Sequence, residues 1–313
     1  MSFLEIDMIY LGDSPTMMQQ IEPNSIGLSF WSPPYFVGKK YEKDATYESW
    51  QALLHAAIRG HARVLKPGGF MVINIADILS FADPKMPRIQ GMNLSNHKSP
   101  VTTEMVLAAK AKHPKYNRDK LAALLGCSEQ TIDRRLNGNN IRGGKHEIQT
   151  RVKLVGGAIE QYGYDCGLYL YDKRIWRKDP AWENSKWTTN TLKAVSETED
   201  LYVFWKAGEY MVDRRRLSPA EWKEWGYRQV WEIPSVRKND DHEAKFPEQL
   251  AMRVIKLYSS KGDVVLDPFI GSGTTALAAL KLGRHFIGID KESKYVTLSR
   301  RKIKLALSQL SLF

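Results

Sequence analysis

Two short stretches carry residue types that could do chemistry. Residues 32–35 read Ser32-Pro33-Pro34-Tyr35 and follow the apolar run 26–31, IGLSFW. Proline cannot donate to a β-ladder, so a central strand must stop there, leaving a hydroxyl beside an aromatic ring. Taken alone, this is a strand-end turn with an aromatic plug. The second stretch is Asp267-Pro268-Phe269-Ile270-Gly271-Ser272-Gly273-Thr274-Thr275, between an apolar strand pattern and a helical one. Glycines at such a turn let backbone pass close to a ligand where a Cβ would collide. Asp267 closes the first strand. Asp290 closes the next one, 23 residues later, where an acid can take two ribose hydroxyls.

The turn narrows the choice of ligand. A P-loop needs Lys after its last glycine, and here Thr274 and Thr275 follow Gly273. A dinucleotide loop wants a third glycine, for which Ala276 is a loose substitute, and the loop has no positive charge for a pyrophosphate. An acid at each end suits a ligand with hydroxyls, an amino group and a positive charge. S-adenosylmethionine (AdoMet) has all three.

The elements that must hold these stretches read as α/β. Residues 26–31 form a strand. Residues 47–65 place Trp50, Leu53, Leu54, Ala57, Ile58, Val64 and Leu65 at helical spacing, LKPGG breaks the helix, and FMVINIAD is a second strand. Asn74 and Asp77 at its end are turn formers that could also order a pocket. A strand–helix–strand unit implies parallel pairing. Residues 83–150 break the pattern. Strand-like runs return at 166–176 and 200–207, and after 262 the chain alternates strand, helix, strand, helix. The expected fold is α/β: a doubly wound, mostly parallel Rossmann-like sheet, with an inserted helical segment.

Of the 313 residues, 43% are hydrophobic and 26% charged, which suits a folded domain or two. No apolar run reaches the ~18 residues that span a bilayer, and the early acids of MSFLEIDMIYLGDSP do not resemble a secretory signal. Cys127 and Cys166 are the only cysteines and lack metal-site spacing, so neither a zinc site nor a disulfide framework is expected and the setting is read as cytoplasmic. The net charge of +11 fits either a solvated basic surface or a polyanionic partner, nucleic acid being the commonest. Basic clusters at Lys39-Lys40, Arg134-Arg135, Lys173-Arg174, Arg177-Lys178 and Arg214-Arg215-Arg216, with Trp176, Trp182 and Trp187 interleaved, favour the second.

DPFIGSGTT, HEAKFPEQL (242–250) and SPPY together resemble the motifs of the amino-methylating DNA methyltransferases, and the run-up LGDSPTMMQQIEPNSIGLSFW and the sequel VLKPGGFMVINIAD are similar too. The order, tetrad first and glycine turn last, resembles the circularly permuted β group. The resemblance implies AdoMet as cofactor, held by Asp13, Phe246, Asp267, Pro268, Phe269, Gly271, Ser272, Gly273, Thr274 and Asp290, with Ser32, Pro33, Pro34 and Tyr35 catalytic and no metal. Helix capping is the other reading of Asp13, and core packing that of Phe246. In such an enzyme the Ser32 hydroxyl and Pro33 carbonyl accept hydrogen bonds from an exocyclic amino group, and a base flipped from the duplex stacks on Tyr35. Ser in the first tetrad position implies cytosine N4; adenine N6 is the alternative. Cytosine C5 chemistry is excluded, because neither cysteine follows a proline.

Within the insertion, NRDKLAALLGCSEQTIDRRLNG (117–138) reads as two short helices about Gly126, with Ser128 capping the second. The pattern resembles a helix-turn-helix, whose second helix would offer Gln130, Thr131, Arg134 and Arg135 to double-stranded DNA, with Arg142 beyond. A hairpin that only braces the insertion is the bland reading. The expected divisions are 1–82 (catalytic half), 83–150 (helical, target-recognising), 151–241 (rest of the catalytic half with a basic segment) and 242–313 (AdoMet-binding half). The expected partners are double-stranded DNA and a cognate restriction endonuclease of the same system, with no membrane, and the chain itself is expected as a monomer or dimer. A DNA-binding regulator with a ligand-sensing α/β domain is the rival from another class.

Overall fold

The structure is a computed structural model and describes residues 2–36, 46–87, 99–137, 149–180, 193–210, 212–236 and 245–310. In chain order the elements are β1 (Met8–Leu11), α1 (Ser14–Met18), β2 (Ile26–Trp31), α2 (Tyr47–Val64), β3 (Leu65–Ile75), β4 (Ile78–Asp83), α3 (Thr103–Lys112), α4 (Arg118–Leu125), α5 (Glu129–Asn137), β5 (Gln149–Lys153), α6 (Gly156–Asp165), β6 (Leu168–Arg177), β7 (Thr198–Lys206), the single turn α7 (Pro219–Glu221), β8 (Val230–Glu232), α8 (Glu248–Tyr258), β9 (Val264–Asp267), α9 (Thr274–Lys281), β10 (His285–Asp290) and α10 (Ser293–Leu310). They fall into two compact units. One is Met1–Phe81, Val152–Lys186 and Lys193–Phe313; the other is Ala82–Arg151 and Trp187–Leu192.

The first unit is built on an eight-stranded sheet in the order β1-β10-β9-β2-β3-β7-β6-β8. The five strands from β1 to β3 are parallel; β7 pairs antiparallel with both β3 and β6, and β8 runs parallel to β6. The expected mixed α/β, mostly parallel sheet is therefore present. Every residue of β2 is buried, as befits a central strand covered on both faces. One face carries Leu28, Phe30 and Val72 under Leu250, Val254, Ala276, Ala279 and Ile303 from α8, α9 and α10. The other carries Ile26, Trp31, Met71 and Leu266 under Leu54, Ala57 and Ile58 of α2 and Ile159 of α6. A register shift between Ile26 and Leu28 lets these two residues face opposite layers.

The second unit has its own small core, Val101, Val106, Leu121, Ala122 and Ile132, with Leu125 and Leu136 against it. Helices α4 and α5 meet at Gly126, whose φ of 62° is the left-handed conformation that favours glycine. Ser128 Oγ accepts from the Thr131 amide at 3.3 Å, the cap expected from the sequence. α3 was not foreseen. Its sequence has almost no amphipathic pattern, and only Val106 is buried. Among the described residues no helix is long and apolar enough to cross a membrane.

A buried histidine ties α2 to the sheet. His61 Nδ1 faces the Ala57 carbonyl at 2.7 Å, so the neutral ring carries its proton there, and Nε2 lies 2.7 Å from Ser29 Oγ, whose hydroxyl also reaches the Leu266 carbonyl at 2.9 Å. The ring stacks on Trp31 at 5.4 Å. Burial pushes its pKa down from 6.5 to about 4 against the Ala57 hydrogen bond. Below 6.5 the unfolded chain binds a proton that the folded ring refuses until about 4. This contribution to stability is therefore complete above 6.5 and lost on acidification, by on the order of 3 kcal/mol. In urea unfolding at about pH 5 and about pH 7.5, His61→Gln should lose less stability on acidification than the wild type.

Candidate active site

Strand order reverses between β2 and β9. From β2 the chain winds outward through β3, and from β9 it winds the other way through β10. Open α/β sheets bind ligands at such a point, beyond the carboxyl ends of the strands. The pairing Ser29↔Leu266 sets the two ends side by side, so Ser32 and Pro268 leave the same edge. The rings of Trp31 and Phe269 lie 5.3 Å apart. The proline corner and the glycine turn thus share one cleft edge, although 235 residues separate Ser32 from Asp267.

At the proline corner, Trp50 Nε1 of α2 donates to the Pro34 carbonyl at 2.7 Å and fixes the turn. Among the described residues the Pro33 carbonyl accepts no hydrogen bond. Ser32 Oγ lies 3.0 Å from the Asn74 carbonyl and 3.1 Å from Tyr35 Oη. With its single proton on either, its lone pairs are left as acceptors. Tyr35 Oη donates to Glu199 Oε2 at 2.6 Å, and Asn74 Nδ2 donates to the same oxygen at 2.6 Å and contacts Tyr35 Oη at 3.1 Å. Lys178 closes the network as an ion pair with Glu199 Oε1. Among the described residues Asn74 Oδ1 is buried without a partner, a cost of about 1–3 kcal/mol. Sequence reading singled out Asn74 but missed Glu199 and Lys178, which no local signal marks. Asp77 lies outside this network and accepts from the Val155 amide at 2.8 Å.

The glycine turn is organised by its own acids. Asp267 is buried, accepting from Thr275 Oγ1 at 2.6 Å and from the Phe269 amide at 3.0 Å. Both its oxygens serve the turn. Burial pushes its pKa up from 3.8 to about 7, against those two hydrogen bonds. Asp290 accepts from the Gly271 and Glu292 amides, each at 2.9 Å and each on a different oxygen. Each oxygen retains a second lone pair, and burial raises this pKa too. Gly273, at φ 86°, lies where a Cβ would come within 2.9 Å of Ser299 Cβ, so it lets α10 pack against the turn. Pro268 accepts from Ser14 Oγ through its carbonyl, Ser272 Oγ lies 3.4 Å from Thr274 Oγ1, and Thr274 begins α9.

Other expectations fare differently. Asp13 is the N-cap of α1, taking the Thr16 amide at 3.2 Å and the Thr16 hydroxyl at 2.8 Å. Phe246 packs on Phe30 at 4.8 Å against the core. In the cluster at 173–178, Lys173 and Arg177 are exposed and Arg174 and Lys178 half-buried. Lys173 pairs with Asp200, Arg177 with Glu232 and Lys178 with Glu199; Arg174 lies over Trp231, and Trp176 is buried. In the second unit Gln130 is exposed and Arg134 half-buried. Thr131 Oγ1 meets Ser128 Oγ at 3.1 Å, and Arg135 Nε donates to the Val101 carbonyl at 3.0 Å. Arg142, Lys39-Lys40, Trp182, Trp187 and His242 lie outside the described residues. Burial pushes both cysteine thiols up, away from the thiolate form.

A doubly wound sheet that brings an acid-flanked glycine turn and a polar corner to its switch point has the architecture of an AdoMet-dependent methyltransferase. The family model described as DNA methylase, for N6 and N4 methyltransferases, matches residues 26–301, and the chain belongs to that family, with AdoMet as its cofactor. Over 303 residues it is 56% identical to the type II methyltransferase M.BglI of Bacillus subtilis, covering 97% of this chain and 87% of that one. It is 23% identical to the DNA adenine methyltransferase YhdJ of Escherichia coli, covering 96% and 84%. Among solved structures, the DNA modification methylase TTHA0409 of Thermus thermophilus in complex with AdoMet has a TM-score of 0.61 at 22% identity, covering 96% and 93% of the chains. The PvuII cytosine-N4-specific DNA methyltransferase has a TM-score of 0.58 at 16% identity, covering 98% and 93%. These two share the fold.

Asp267 titrates against His61. Its folded pKa lies above the unfolded value, so its contribution to stability is complete below 3.8 and lost as pH rises through about 7. The two windows overlap with opposite sign. In the cofactor-free protein Asp267→Asn, with the Thr275 hydroxyl turned to accept, should therefore lose stability on acidification more steeply than the wild type. The urea midpoint as a function of pH measures this.

Proposed function

We propose that this protein methylates the N4 amino group of cytosine in double-stranded DNA, as the modification enzyme of a type II restriction–modification system. The reading rests on one observation: Ser32 Oγ, held as an acceptor beside the Pro33 carbonyl, stands at the strand edge that also carries the glycine turn. The relationship to a type II methyltransferase supports the DNA substrate and the system, in which a cognate endonuclease would be the partner. Serine in the first tetrad position supports cytosine.

A target amino group cannot reach this cleft from inside a duplex, so the base leaves the stack. Tyr35 offers it a ring face, worth ~1–3 kcal/mol. Ser32 Oγ and the Pro33 carbonyl accept hydrogen bonds from the two amino N–H groups and point the nitrogen lone pair across the cleft. The nitrogen conjugates with the ring, so acceptors that strengthen as its positive charge grows favour the transition state over the ground state. Asp290 fits the ribose hydroxyls through its second lone pairs. Gly271, Ser272 and Gly273 line the turn beside it, with Asp267, Pro268, Phe269 and Thr274 shaping that turn and Asp13 and Phe246 flanking it. AdoMet bound there supplies an electrophilic methyl group to the waiting nitrogen.

Nucleoside mass spectrometry of plasmid DNA from expressing cells should find N4-methylcytosine; N6-methyladenine instead would overturn the choice of base. Ser32→Ala and Tyr35→Ala should lower turnover about 100-fold or more with little change in AdoMet affinity. Asp290→Ala should weaken AdoMet binding about tenfold or more by calorimetry. Equal effects of all three on cofactor binding would undo these roles.

We also propose that α5 reads the target sequence, with Gln130 and Arg134 at base edges and Thr131 and Arg135 near phosphates. Replacing Gln130 and Arg134 together should change which sequence is methylated, as mapped by sequencing modified plasmid. An unchanged site in a folded variant would assign α5 to bracing alone.

A further inference from the structure

The proline corner ends in a carboxylate that the methyl-transfer reading has not used. Glu199, near the start of β7, is buried, and three groups from three elements converge on it: Tyr35 Oη, Asn74 Nδ2 and the Lys178 ammonium. The titratable groups that meet it are Lys178, just past β6, and Tyr35, just past β2; β3 contributes the uncharged Asn74. Lys178 supplies a counter-charge and lies 5.5 Å from the Trp176 ring centroid. A buried acid held this way is costly to place. A tyrosine hydroxyl needs only one acceptor, and the Asn74 carbonyl is already 3.2 Å from it. Holding Tyr35 in place therefore does not account for a second acceptor that is ionisable.

Methyl transfer gives that acid a task. The nitrogen lone pair forms the N–C bond, the C–S bond breaks with its pair going to sulfur, and the nitrogen is left cationic with one proton too many. Ser32 Oγ faces that nitrogen and is 3.1 Å from Tyr35 Oη, which is 2.6 Å from Glu199 Oε2. We propose that Glu199 is a positioning residue that holds Ser32 and Tyr35 as an ordered pair and takes up, through them, the proton released by the methylated amine. The proposal rests on the methyl-transfer reading of this corner. The amine proton passes to Ser32 Oγ, the Ser32 proton to Tyr35 Oη, and the Tyr35 proton to Glu199. The methylamino base is left neutral, both hydroxyls are restored, and the carboxylic acid returns its proton to water before the next turnover. Of the three hydrogen-bond donors on Glu199, Asn74 and Lys178 keep the carboxylate in place while the Tyr35 bond carries the proton.

The test compares wild type, Glu199→Gln and Tyr35→Phe in single-turnover methylation of duplex DNA from about pH 6 to 9. Two readouts need no chemistry: AdoMet affinity by calorimetry, and base flipping by 2-aminopurine fluorescence at the target position without cofactor. Glutamine keeps the size and the acceptor oxygen but cannot take a proton. Phenylalanine keeps the stacking ring and removes the link. Both variants should lose at least about tenfold in rate at neutral pH, with the deficit shrinking as hydroxide takes over the proton at high pH. Cofactor affinity and flipping should stay unchanged. Wild-type rates and pH profiles in both variants would overturn the proposal. A loss equal at every pH with weakened flipping would leave Glu199 a brace and overturn its proton role. Should Glu199→Gln fail to fold, Tyr35→Phe carries the same expectation. If the wild-type protein transfers no methyl group to DNA, the failure lies with the functional reading itself.

Discussion

The parallel pairing of β2 with β9 is the constraint on which the site depends. It joins strands from opposite ends of the chain, and its register, Ser29 against Leu266, decides that the proline corner and the glycine turn emerge together. A slip of one residue would invert every side chain on β2. Trp31 would then leave the layer of His61 and Phe269, and the Ser29–His61 bond would be lost. The Ser29 hydroxyl on the central strand and the His61 imidazole on α2, both buried, thus act as a register key, because a slip would leave both polar groups unsatisfied.

The acids around the cleft are handled in three ways. Asp267 is enclosed with neutral donors and held close to neutrality, so it shapes the turn without adding a full charge. Asp290 keeps lone pairs available while backbone amides fix its direction. Glu199 is matched with an ammonium.

What was legible in the sequence was local. The turn of residues 267–275, the end of β2 at Ser32 and the helical spacing of α2 follow from backbone restrictions carried by Pro and Gly and from apolar periodicity, and those are written in adjacent residues. The partners of the corner were not legible. Glu199 and Lys178 come from strands whose order and register a single sequence does not display, and Glu199 sits 164 residues from Tyr35. The same holds for Lys173, Arg177 and Lys178, whose paired acids lie on neighbouring strands and not beside them in the sequence. Asp13 was ambiguous for a physical reason: an acid ahead of a helix caps it whatever else it touches.

The second unit carries a different consequence. Among its described residues the buried core is five side chains, none larger than leucine or isoleucine. None of the eight strands of the main sheet draws its pairing from that core. The molecule therefore has more than one melting free energy, and amide hydrogens of α4 and α5 belong to a shallower well than those of β2 and β9. Warming would release this small core before the strands of the main sheet separated.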